Sequence, residues 1–207
     1  MATTTTKLDA VNQVLRASSK RPVTSLSASL TPDASIALGT LESVSRDVQS
    51  EGWHFNTEYN VPLVPDSGGL ITLPSNVGDV DIEACNIPHT SGDYHPDPIY
   101  RDGKVYDLAN QTYVWPTGTA IKVTLVRLLD FTELPEVVRQ YVAARAAREH
   151  QENFQADRSA RRGTETKEAE KRAALLRAEA RSQDANDLET QPHAVRRPRS
   201  SWRFWRA

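Results

Sequence analysis

Residues 49–59 read QSEGWHFNTEY and set His54 within four residues of both Glu51 and Glu58. Such a set could hold a metal ion or move a proton. Ligands four residues apart converge only on a helix, whereas a helical pattern stops here at Gly52 and a period of two begins at Trp53. On a strand Trp53 and Phe55 share one face and His54 takes the other. We therefore expect Trp53 and Phe55 to seal a core, with His54 facing away. His89, Asp93, His95 and Asp97 form a second set, in NIPHTSGDYHPD. They are ligand types for hard or borderline cations, but their spacing matches no closed site, and a solvated loop is expected. Cys85 sits in an apolar strand without a cationic neighbour, which suits an inert buried thiol rather than a nucleophile. Asp79, Asp81 and Glu83 could be the acids of a glycan hydrolase, yet their alternation reads as the solvent face of a strand. No Gly-rich phosphate loop and no G-x-S-x-G elbow occurs. No catalytic residue, metal or cofactor is expected.

The C-terminal run PHAVRRPRSSWRFWRA carries Arg196, Arg197, Arg199, Arg203 and Arg206 with Trp202, Phe204 and Trp205, and no acid. Arginine and tryptophan are enriched at protein–protein hot spots. Phosphate-seeking charge beside stacking rings also suits nucleic acid or a membrane surface, and a disordered end is the bland alternative.

The elements that must position these residues are legible from periodicity. In a chain of 207 residues with 25% charged and 38% apolar side chains, net charge is −2. This excludes a surface that is basic throughout. One cysteine excludes an internal disulfide and any multi-Cys zinc site, as in a reducing cytosol. The opening MATTTTKLDA has no apolar h-region, so no signal peptide is expected, and no window has the ~18 apolar residues of a membrane span. Leu8, Val11, Val14 and Leu15 stripe a short helix. Thr31-Pro32 caps and starts a second, striped by Leu38, Leu41, Val44 and Val48 and stopped by Gly52. Tyr59, Val61 and Leu63 alternate on an edge strand, LITLP and VGDVDIEAC read as further strands, and AIKVTLVRLL as a half-buried one. Arg101-Asp102-Gly103-Lys104 is a two-residue hairpin turn. A third helix is expected from a cap near Thr132, buried through Val137, Val138, Tyr141, Val142 and Ala146. The charged, Ala-rich run after it has only Leu175, Leu176 and Leu188 as large apolar residues and calls for a partner surface. The reading is α+β: a helical bundle (1–52 and 132–163), an inserted antiparallel β-rich domain (53–131), a charged C-terminal helix (164–190) and a basic aromatic docking tail (191–207).

Four stretches in this order resemble the tail tubular protein A family, head-to-tail adaptors of short-tailed phages (podoviruses). They are LDAVNQVLRASSKRPVTSL, ASIALGTLESVSRDVQSEGWHFNTE with its Q-S-x-G-W-x-F-N ending, YRDGKVYDLANQTY, and VTLVRLLDFTELPEVVRQYVAARAAREHQENF. The likeness covers about residues 8–154; beyond that it is one of character only. It implies a non-enzymatic virion protein forming a ring, usually a dodecamer, between the capsid portal protein and a tail nozzle of the tubular protein B kind. Genomic DNA would pass through the channel during ejection, with no membrane involved, and assembly would take place in the host cytoplasm. The docking tail, Arg196 to Arg206 with its aromatics, would anchor in the portal, and Gly52, Trp53 and Phe55 would be the structural joint between bundle and insertion. The rival reading is a nucleic-acid-binding protein acting through the tail.

Overall fold

A computed structural model describes residues 4–27, 30–86, 96–154 and 158–190, the last without the side chains of 158–160 and 183–190. Four helices and five strands occur among them: α1 (Lys7–Ala17), α2 (Pro32–Ser50), β1 (Thr57–Leu63), β2 (Val77–Asn86), β3 (Pro98–Arg101), β4 (Lys104–Asp107), β5 (Ala120–Arg127), α3 (Glu136–Phe154) and α4 (Arg158–Thr190). The class is α+β, as expected.

The first two helices follow local chemistry. The Thr31 side chain accepts from the Ala34 N–H, and Pro32 occupies the first turn of α2. Gly52 then takes a positive φ of 71°, which ends the helix. Ala10, Val11, Val14 and Leu15 of α1 pack with Ala34, Ala37, Leu41, Val44 and Val48 of α2, and with Val138, Tyr141, Val142 and Ala146 of α3.

The helix α3 begins at Glu136, four residues later than the Thr132 cap expected from sequence. Pro135 is the reason. Its ring disfavours helical geometry at Leu134, so residues 131–134 form turns instead. The Glu136 carboxylate at the new start accepts from the Thr5 N–H at 2.9 Å and the Thr5 hydroxyl at 2.6 Å.

The sheet has β5 at its centre, antiparallel to β1 on one side and β2 on the other, while β3 and β4 form a separate hairpin. Asp102 (φ 52°) and Gly103 (φ 75°) both take positive φ, as a two-residue turn between paired Arg101 and Lys104 requires. Two strand expectations fail. Tyr59 is solvent-exposed instead of sharing the inner face with Val61 and Leu63. The register slips between Glu58 and Val61 around Asn60 (φ 56°), and such a bulge reverses the alternation. LITLP makes only isolated bridges, Leu70 to Val114 and Thr72 to Lys104, rather than a strand; Pro74 has no N–H with which to extend the pairing.

The core is in two parts. Besides the helical cluster, Ile71, Leu73, Val105, Trp115, Ile121, Val123 and Leu125 form a second one beneath the sheet. The Trp115 indole N–H donates to the Val105 carbonyl at 2.9 Å, so this large ring is buried without an orphaned donor.

Within the helical cluster His150 of α3 is 1% exposed and its Nδ1 lies 2.6 Å from the Ser18 hydroxyl at the end of α1. Burial pushes its pKa below the ordinary value, a push that Lys20 reinforces and Asp33 opposes. The unfolded chain therefore takes up a proton that the folded protein resists. This contribution to stability is present in full above the unfolded pKa of about 6.5 and is lost as pH falls below it. Urea unfolding at pH 7.5 and 5.5 should show lower stability at the acid value, with a slope of at most about 1.4 kcal/mol per pH unit from this group. His150→Gln should flatten that slope.

Candidate functional site

The chain leaves the helical bundle at residues 50–57 and returns at 127–131, and these two passages meet. Gly52 turns the backbone out of α2; a Cβ there would touch Val126 Cγ2 at 3.5 Å, ordinary contact, so what demands glycine is its positive φ. Trp53 is buried and its indole N–H donates to the Val48 carbonyl at 2.6 Å, satisfying a group at the open end of α2. Phe55 packs half-buried against the same helical cluster. Gly52, Trp53 and Phe55 lie together where the two passages meet, but not on a strand. Residues 54–56 form a turn closed by the Asn56 N–H to the Trp53 carbonyl at 3.0 Å, and β1 begins only at Thr57. Both rings reach the core because the turn swings them there, not because of a two-residue period.

Two buried carboxamides hold the joint, and sequence reasoning assigned neither of them a role. Asn56 Oδ1 accepts from the Trp53 N–H at 2.9 Å, while its Nδ2 donates to the Gln49 carbonyl at 2.9 Å and the Arg127 carbonyl at 2.8 Å. The Arg127 N–H donates back to the Asn56 carbonyl at 2.7 Å. Gln49 ties the returning passage: its Oε1 accepts from the Leu129 N–H at 2.7 Å and its Nε2 donates to the Leu129 carbonyl at 3.1 Å. Gln49 Nε2 also reaches the Ser45 hydroxyl at 3.1 Å. The available signal was an uncharged amide on the apolar side of α2 and another just after two aromatics, both inside Q-S-x-G-W-x-F-N.

The residues considered for chemistry disperse. His54 is exposed, and its backbone N–H donates to Glu179 of α4 at 2.9 Å. Glu51 lies 3.5 Å from Arg145 and 3.8 Å from Arg172, and Glu58 pairs with Arg127 at 3.2 Å. Among the described residues no three His, Cys, Asp or Glu side chains could hold a metal ion together. Burial first, and then the charge of Asp107, pushes the Cys85 thiol pKa up, away from a reactive thiolate. Asp79, Asp81 and Glu83 are exposed along β2, as expected of a solvent face. Asp97 is exposed and its N–H donates to Asp107 at 3.1 Å. His89, Asp93, His95 and the docking candidates Arg196, Arg197, Arg199, Trp202, Arg203, Phe204, Trp205 and Arg206 lie outside the described residues.

The helix α4 covers the joint from outside. Its inward stripe runs Thr164, Glu168, Lys171, Leu175, Ala178, Ser182, alternating steps of four and three. Among its described side chains only Leu175 is buried. The rest of the attachment is polar: Glu168 to Arg148, Lys171 to Gln140 at 2.8 Å and Arg172 to the Tyr141 hydroxyl at 2.8 Å. The partner surface this helix needs is supplied in large part by α3 of its own chain.

The described residues thus form two cores coupled by buried amides. A scan against protein-family models matches residues 8–185 to the tail tubular protein family. The chain belongs to this family. Tail tubular proteins are structural components of phage tails, which places this chain in the virion. A search of the curated proteins found no match. The family match runs past residue 154, beyond which the quoted stretches do not reach, and takes in α4 as far as 185. The polar helix is therefore part of what makes this chain a tail tubular protein, and the segment 191–207 is not covered. The match lends no support to a nucleic-acid-binding protein acting through that segment.

The joint makes a graded set of substitutions. Trp53→Ala should cost about 3–5 kcal/mol in urea unfolding, the range for emptying a large buried ring. Asn56→Ala should cost about 1–3 kcal/mol or more, because it strands buried partners on both passages. His54→Ala should stay within about 0.5 kcal/mol, since its ring is exposed.

Proposed function

We propose that this tail tubular protein is a head-to-tail adaptor of a short-tailed phage. In this reading, copies of the chain form a ring, a dodecamer by the family resemblance, joining the capsid portal protein to the tail nozzle and lining the channel through which genomic DNA is ejected. The observation that carries the reading is where apolar surface remains uncovered. Among the described residues, five of the eight exposed large hydrophobic side chains, Tyr59, Val64, Tyr100, Leu108 and Val114, belong to the β-rich part, whose core is separate from that of the bundle. A monomer gains nothing from such a surface, and a subunit with neighbours does. The bundle (1–52 and 132–163), with its charged helix (164–190), would set ring spacing; the β-rich insertion (53–131) would make contacts beyond it.

The role needs no catalysis and no cofactor, only matched surfaces and a channel that does not grip DNA. Each phosphate contact adds affinity and slows passage, and a net charge of −2 is compatible with a channel that lets DNA slide. Assembly would take place in the host cytoplasm. The tail 191–207 is assigned to the portal, its arginines and aromatics anchoring in a crevice of that larger ring.

Purified protein should be monomeric or weakly associated and should form a ring on its portal, seen as a stacked density in negative-stain images of the mixture. Absence of any stacked ring would overturn the adaptor reading. Deleting residues 192–207 should weaken portal attachment while leaving the circular dichroism spectrum unchanged. Undiminished attachment would remove the tail from that role.

A further inference from the structure

Among the described residues, the sheet order leaves β2 with one edge unpaired, and the hairpin leaves β3 with one edge unpaired. These two edges face each other across a groove of about 490 Å³ lined by consecutive residues, 78–82 of β2 and 98–100 of β3. Consecutive residues of both strands thus border the space. An unpaired edge is a template for another strand. The side chains above β2 add a charge: Asp79, Asp81 and Glu83 are exposed on one face, while Val80 and Ile82 pack toward the sheet core on the other.

The chain contains one segment of complementary character. Residues 199–206 read RSSWRFWR, without proline or acid. Written as a strand they place Arg199, Arg203 and Trp205 on one face and Trp202, Phe204 and Arg206 on the other. The acids of β2 match the first face, and its apolar side matches the second. The helix α4 leads the chain toward the part of the molecule that holds this groove. The helix α4 runs antiparallel to α3, and Ser182 lies in a crevice with His54, Phe55 and Pro135, at the end of the bundle from which the β-rich part departs. From there α4 continues to Thr190, roughly 12 Å further at 1.5 Å per residue. The eight residues between α4 and the segment, 191–198, can span up to about 28 Å if extended.

We propose that residues 199–206 of one copy add as a strand to the acidic β2 edge of a neighbouring copy. The contact is heterologous, each chain giving its tail and receiving another's, which is the kind of contact that closes into a ring. The proposal rests on the ring reading above. It gives the tail a place before the portal is met, since one segment cannot fill the groove and a portal crevice together.

The test uses the full chain in two variants, Asp79→Lys/Asp81→Lys in the groove and Arg199→Glu/Arg203→Glu in the tail, with circular dichroism to check folding. By sedimentation, the natural chain should associate with rising concentration and less so with added salt. Each variant alone should associate at least about tenfold more weakly. An equimolar mixture of the two should form heterodimers, because one variant keeps a native tail and the other a native groove. A natural chain that stays monomeric throughout, or variants that associate as it does, would overturn the proposal. Association of the mixture no stronger than that of the separate variants would do the same. No portal protein is present, so this experiment can fail while the adaptor reading stands, and the portal-binding images can fail while this succeeds.

Discussion

The side-chain amide of Asn56 is the contact on which the rest of the molecule depends. It joins three backbone groups from two passages of chain, the Trp53 N–H and the carbonyls of Gln49 and Arg127, while the Asn56 backbone carbonyl takes the Arg127 N–H. Where a chain leaves one core for another, backbone groups lose their helix or ladder partners, and each one left buried and unpaired costs about 1–3 kcal/mol. Asn56 and Gln49 together satisfy the departing and the returning passage. An amide can do this because it both donates and accepts, and a carboxylate or an aliphatic side chain could not.

That constraint shapes the elements around it. Gly52 must turn with a positive φ so that Trp53 can lie over the end of α2, and Pro135 must delay α3 so that residues 128–134 can meet Gln49. The helix α4 then closes the outside of the joint with Leu175 as its buried apolar anchor and polar contacts elsewhere. A helix held mainly by hydrogen bonds and half-exposed ion pairs gains little from each of them. Its attachment depends on many weak contacts along one narrow stripe. Among the described residues the outer face of α4 is polar apart from Leu176, and five of the eight exposed large hydrophobic side chains lie in the β-rich part.

Much of the fold was legible in the residues because local rules governed it. Thr31-Pro32 started α2, Gly52 stopped it, and Asp102-Gly103 made the hairpin turn, each through backbone preferences that act within four residues. The errors arose where a distant or following residue intervened. Pro135 moved the start of α3, and the slip at Asn60 turned Tyr59 outward. The supposed strand through Trp53 and Phe55 is a turn because Asn56 finds partners at Gln49 and Arg127, one of them 71 residues away along the chain. Of the candidate site, Gly52, Trp53 and Phe55 could be named from their types and order. Gln49 and Asn56 could not, because an amide in a sequence looks the same whether it meets water or a buried carbonyl.

The sequence by itself determined the helices, the hairpin, the α+β class and, through four ordered stretches, the likeness to tail tubular proteins, since all of these rest on short-range patterning. Only the tertiary structure decided which polar groups bind the two cores together and that α4 lies on its own chain. It alone decided that, among the described residues, the acidic strand is paired along one edge only. Those outcomes depend on which buried backbone groups are left without partners once the cores have formed, and the folded arrangement alone reveals that.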